Sequence, residues 1–262
     1  MTRWVLAMAL ASTALPASAA VQTKTIEYEF DGTKLMGFLA WDDAASGKRP
    51  GVLVFPEWWG LNDYAKGRVK QLAALGYVAF AADLYGEGKV IDIKHPEDAG
   101  KMAGALRMNQ KMWRGRAEAA LKLLTGLPNV DAGKVAAMGY CLGGSTALQL
   151  AYTGADLKAV ATFHAGLAVP TEAEAQAIKA NILVCHGAAD KFIPEKTVAE
   201  FRKVVGTKSG GDLVFVSYDN VVHSFTVPDA DKVGNPGMKY DKKADEDSWK
   251  RTTELFKTTL GK

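Results

Sequence analysis

The sequence predicts one α/β domain, from about Ala20 to Lys262, with a mainly parallel central sheet, helices on both faces and an N-terminal edge hairpin. Three observations predict it. Short continuous apolar runs recur along the chain, separated by stretches of helical length, as in a parallel sheet buried on both faces. Two alternating segments at the start flank the turn dipeptide Asp31-Gly32. One apolar run passes into a helical pattern through a turn of small residues around Cys141.

In order, Thr23–Phe30 and Leu35–Trp41 form the hairpin. Further strands are expected at Gly51–Phe55, Tyr77–Ala81, Lys134–Met138, Ala159–Phe163, Ile182–Cys185 and Leu213–Tyr218. Apolar residues at helical spacing place helices at Asp63–Leu75, Pro96–Leu124 with a break inside it, Leu142–Tyr152, Glu172–Ile178, Pro194–Val205 and Asp245–Leu260. The mixed-charge stretch Lys239–Arg251 reads as a solvated face and helix start. No internal repeat, Pro- or Ser-rich linker or low-complexity segment divides the chain.

With 262 residues, 48% hydrophobic and 23% charged, the chain can bury a large core. Its formal charge of +3 is spread among interspersed acids and bases, so nothing asks for nucleic acid. The opening residues carry Arg3, then an apolar run from Trp4 to Leu15, then Ala17-Ser18-Ala19. That pattern is a secretory leader cleaved after Ala19 or Ala20. The apolar run is shorter than the ~20 residues a spanning helix needs. No later segment is apolar for long enough, so the mature chain is expected in the periplasm or outside the cell without a membrane span. Export would allow disulfides, yet the two cysteines, Cys141 and Cys185, each adjoin a strand in a chain whose core needs no staple. No bridge between them is expected.

The run Val135-Ala-Ala-Met-Gly-Tyr-Cys-Leu-Gly-Gly-Ser is the nucleophile-elbow pattern with Cys in place of Ser. Side chains at positions 139 and 143 would collide with strand or helix in so sharp a turn. Cys141 is thereby held at a helix N-terminus, where the dipole and free N–H groups favour negative charge. The Leu142 N–H could stabilise an oxyanion there. The alternatives are a buried structural cysteine or a phosphate-cradling loop; the latter would need Gly-Lys-Ser/Thr. In this architecture an acid and then a base follow the nucleophile. Asp190, in the loop after the strand at Ile182–Cys185, and His223, in the loop after the last strand, stand in that order. A turn or cap role for Asp190 and an ordinary loop position for His223 are the alternatives. His164 and His186 end strands as core residues or supports behind the site, and His95 is a surface residue before Pro96. Asp83 more simply anchors a turn. Without H-x-H or C-x-x-C spacing, no metal site or cofactor is expected.

These pieces resemble the dienelactone hydrolase family of the α/β-hydrolase fold. The matching segments are Pro56-Glu57-Trp58-Trp59-Gly60, Asp83-Leu84-Tyr85, Gly139 to Gly144, Gly187 to Asp190 with Pro194, and His223-Ser224-Phe225. The resemblance implies a Cys141, Asp190, His223 triad, a thiol-modulating Glu57, and oxyanion-hole N–H groups at Trp58 and Leu142. Among Trp58 and Trp59, Glu57 should be desolvated and its pKa raised; a solvated loop glutamate is the alternative. The family's two substrate-carboxylate arginines correspond by position to Glu87 and Val227, neither of which binds an anion. The expected activity is therefore hydrolysis of a small-molecule ester, lactone or thioester through an acyl enzyme, without the dienelactone substrate being implied. The rival reading, from another class, is an exported binding or redox-sensing protein on the same fold.

Overall fold

The structure is a computed structural model and describes residues 20–262 apart from Ala45. The expected leader lies outside the described residues. Eight strands form one sheet in the order β1-β2-β4-β3-β5-β6-β7-β8. The hairpin of β1 (Val21–Phe30) and β2 (Thr33–Asp42) is antiparallel, as is the pairing of β2 with β4 (Val78–Ala81). The pairs linking β4, β3 (Arg49–Phe55), β5 (Val130–Tyr140), β6 (Ala159–Phe163), β7 (Asn181–Gly187) and β8 (Leu213–Tyr218) are parallel. Each expected strand is present, and the hairpin occupies the sheet edge. This is the α/β-hydrolase type of fold that the sequence predicted.

Side-chain alternation divides the core into two layers, since successive strand residues point to opposite faces. Leu53 and Phe55 on β3, with Val135 and Ala137 on β5, face one layer. Val52, Val54, Ala136 and Met138 face the other. The first layer is closed by α2 (Pro96–Met108), α3 (Gln110–Thr125), α4 (Leu142–Tyr152) and α6 (Glu195–Lys208), with residues such as Leu106, Ala117, Leu148 and Phe201. The second is closed by α1 (Asp63–Ala74) and α7 (Lys242–Leu260), through Val69, Leu72, Phe256 and Leu260. A short α5 (Glu172–Ala177) starts at a capping box made by Thr171 and Glu174.

The expected break in the long helical stretch falls at Asn109. This residue ends α2, and its side chain then caps α3 by accepting from the Met112 N–H at 3.0 Å. The stretch Lys239–Arg251 is less solvated than its charge pattern suggests. Asp245 is half-buried and pairs with Arg68, which is itself buried on α1. A 3₁₀ turn at Ala230–Val233 was not anticipated. No described helix is long and apolar enough to cross a membrane.

Candidate active site

The turn after β5 is built as the glycine pattern demanded. Cys141 has φ 52° and ψ −116°, a left-handed backbone that a residue with a Cβ adopts only under constraint. The constraint is visible on both sides. The Cys141 N–H donates to Phe163 O at 3.0 Å, and Cys141 O accepts the Ser145 N–H at 3.1 Å. A Cβ on Gly139 would lie 2.2 Å from Gly143 O, and one on Gly143 would lie 2.0 Å from Phe55 O. Strand and helix therefore approach closely enough to force Cys141 out of the sheet at the first turn of α4. The Leu142 N–H opens that helix, where N–H groups have no intrahelical acceptor.

Cys141 and His223 line one cleft of about 440 Å³, together with Trp58, Phe192, Ile193 and Met238. His223 follows β8 and is braced by the segment at 235–239, its N–H donating to Gly237 O at 3.0 Å and its carbonyl accepting the Lys239 N–H at 3.1 Å. His223 Nδ1–H donates to Asp190 Oδ2 at 2.7 Å, and both side chains are buried. This leaves Nε2 as the ring nitrogen available to the thiol. Asp190 is fixed in turn, because its Oδ1 accepts the Phe192 N–H at 2.9 Å. Burial alone would lower the imidazole's pKa. The negative charge of Cys141 and the bonds and charge of Asp190 outweigh burial and push His223 up to about 10.

Glu57 is 3% exposed, so it is not a solvated loop residue. Burial pushes its carboxyl up to about 7, against opposing effects of the His223 charge and of Ser224, whose Oγ donates to Glu57 Oε1 at 3.3 Å. Its turn is closed by the Gly60 N–H donating to Glu57 O at 3.0 Å, and the Tyr85 hydroxyl donates to Trp58 O at 2.8 Å. Glu57 and Trp59 line a second cleft, of about 370 Å³, whereas Trp58 lines the thiol's cleft; Met238 borders both.

The structure thus brings Cys141, His223 and Asp190 into one array, with Trp58 and Leu142 beside the thiol, and places Glu57 in the adjoining cleft, bonded to Ser224. His164 is fully buried, with Nε2 2.9 Å from Thr226 Oγ1 and its ring 4.9 Å from that of His223, edge to face. Its pKa is lowered by burial and by the neighbouring imidazole. Asp83 anchors a turn, accepting from the Tyr85, Gly86 and Gly88 N–H groups. Cys185 points into the α1–α7 layer while Cys141 packs on the opposite layer, so the sheet separates them and both are free thiols. Sequence reasoning missed Phe192, Asn235, Met238 and Arg107 as cleft residues. Phe192 stood beside Asp190 in a loop already singled out, which was the available signal. The loop at 86–95 contributes Ile93 to the second cleft.

Residues 35–260 match the model of the dienelactone hydrolase family. The chain is 31% identical to protein usf of Aquifex pyrophilus, over 90% of this chain and 98% of that one. It is 28% identical to carboxymethylenebutenolidase of Pseudomonas putida, over 69% and 77% of the two chains. A solved dienelactone hydrolase-like promiscuous phosphotriesterase from metagenomic libraries is 40% identical, with a TM-score of 0.88 over 92% of this chain and 99% of the other. The chain belongs to the dienelactone hydrolase family, and it is a hydrolase of the α/β type.

Proposed function

We propose that this chain hydrolyses carboxylic esters, lactones or thioesters through a Cys-His-Asp triad. The observation that carries the reading is the buried 2.7 Å bond from His223 to Asp190 beside a cysteine held at φ 52° on a strand-to-helix turn. The Cys141 thiolate attacks the carbonyl carbon, and the Trp58 and Leu142 N–H groups receive the oxyanion. Collapse of the tetrahedral adduct expels the alcohol, which takes its proton from His223. A water deprotonated by His223 then attacks the thioester and releases the acid. Asp190 holds the imidazole tautomer, and Glu57 exchanges a proton with the thiol before substrate arrives.

Carboxymethylenebutenolidase, the activity named for the Pseudomonas putida relative, is lactone hydrolysis and is consistent with this class. The test is turnover of p-nitrophenyl esters by the mature protein. Cys141→Ala is expected to abolish it, and undiminished turnover in that variant rejects the assignment. The same reading includes a leader at residues 1–19 and a mature chain exported as one domain. N-terminal sequencing of periplasmic protein should start at Ala20 or Val21, and an intact Met1 there would reject it.

A further inference from the structure

His164 carries two costs. Its backbone stands at φ 41°, in the left-handed region, and its fully buried side chain leaves Nδ1 without a hydrogen-bond partner. A phenylalanine would spare the second. Such costs gather where function uses them, and the ring that His164 touches is the base of the triad. His223 is held between two rings, Phe192 at 5.2 Å and 80° on one contact and His164 at 4.9 Å and 65° on the other. With Asp190 holding Nδ1, these contacts fix the plane of the catalytic imidazole.

A chain of donors running in one direction orients His164 in turn. The Arg68 Nε–H can only donate, and it donates to the Tyr64 hydroxyl oxygen at 3.4 Å. The Tyr64 O–H is thereby turned to Thr226 Oγ1, to which it donates at 2.8 Å. Thr226 is fully buried, and among the described residues its hydroxyl makes one further bond, to His164 Nε2 at 2.9 Å. Its hydrogen has that nitrogen to go to. Nε2 is therefore an acceptor and the ring proton sits on Nδ1, on a ring where the residue's own carbonyl favours a proton. A donor on the remaining lone pair favours the neutral ring. Burial does the same, as do the charges of His223, Arg68 and His186. Of two imidazoles 4.9 Å apart, the one bonded to a carboxylate is left to hold the thiol's proton.

We propose that Thr226 and His164 are positioning residues: the Thr226 hydroxyl locks His164 as its neutral Nδ1–H tautomer, and that ring holds His223 in the plane from which it serves Cys141. The proposal rests on the triad reading and adds to it the two buried side chains that act through His223.

The tautomer is read by nitrogen-detected NMR. Wild-type His164 should show a protonated Nδ1 and an unprotonated Nε2 from pH 5 to 9. Thr226→Val keeps the shape without the hydroxyl, and Thr226→Ser keeps the hydroxyl. In the valine variant Nε2–H should appear, and kcat for p-nitrophenyl esters and iodoacetamide alkylation of Cys141 should both slow roughly tenfold, the rate equivalent of one neutral hydrogen bond. KM should not change. The serine variant should recover both rates. Thr226→Ala, which also lacks the hydroxyl, serves the same comparison if the valine variant does not fold. A wild-type His164 protonated on Nε2 would overturn the proposal, and so would rates unchanged by loss of the hydroxyl or a loss as large in Thr226→Ser. Absence of ester turnover in the wild type would instead reject the hydrolase reading, and the tautomer and the alkylation rates would still decide the role of Thr226.

Discussion

Burial of Glu57 makes a quantitative demand on stability. Burial holds its carboxyl at about 7 instead of the ordinary 4.5, even after the opposing pull of His223 and Ser224. The folded chain therefore keeps this proton through a pH range in which the unfolded chain has released it. Below about pH 4.5 both states are protonated and burial of Glu57 carries no ionisation penalty. As pH rises from 4.5 to 7 the unfolded state gains relative to the folded one, and above 7 the full penalty applies. Two and a half decades of proton activity, at about 1.4 kcal/mol each, amount to about 3 kcal/mol. Glu57→Gln keeps the shape and an oxygen to accept from Ser224 Oγ, but it cannot ionise. The variant should match the wild type in stability at pH 4.5 and exceed it by about 3 kcal/mol at pH 8. In a domain of this size that is a Tm higher by roughly 6–12 °C. Thermal unfolding followed by circular dichroism between pH 4.5 and 8.5 measures the gap, and ester turnover on the same samples should be slower in the variant. A stability gap independent of pH would refute the reasoning, because it would mean that Glu57 is not ionising within this window.

Three further outcomes follow from the same geometry. Asp190→Asn replaces an acceptor by an amide whose NH₂ can turn toward His223 Nδ1 and favour the wrong tautomer. Single-turnover acylation should slow by on the order of 10²–10⁴ with little change in KM, and a loss confined to KM would count against the triad. Cys141→Ala removes one of the groups that raise His223 while leaving the burial that lowers it. The ring should then titrate well below about 10 in nitrogen-detected NMR, whereas an unmoved titration would show that the thiol does not act on the ring. In the wild type, because the His223 value is raised, its contribution to stability is complete below about pH 6.5 and is lost as pH rises through about 10. Gly143→Ala would place a methyl 2.0 Å from Phe55 O and 2.5 Å from Pro56 O, against backbone that has no rotamer to escape into. It should cost about 1–3 kcal/mol, read as a lower denaturation midpoint, and an unchanged midpoint would show that the turn can open.

The strands and the elbow were legible because their signals are local. Alternation across β3 and β5 follows from the pleat, and positions 139 and 143 need glycine because two backbone segments meet there. The pairing of Asp190 with His223 was legible only as chain order, and their contact required the parallel pairing of β7 with β8 to put both loops at one sheet end. Arg107 was not legible, for a physical reason. A basic residue in the last turn of a helix also satisfies the helix dipole, and a sequence cannot distinguish that role from a place in a cleft wall. Arg107 stands in the last turn of α2, two residues before the break at Asn109, and lines the thiol's cleft. Nor could the sequence tell that Glu57 and Trp58, adjacent in the chain, line different clefts. That separation has a functional consequence. Arg107 lines the thiol's cleft and the buried Glu57 carboxyl the second one, so charge at position 107 can change without altering the burial that raises Glu57. The Glu57→Gln gain in stability at pH 8 should therefore be the same in an Arg107→Gln background, and a gain that differs there would show that the two charges are coupled.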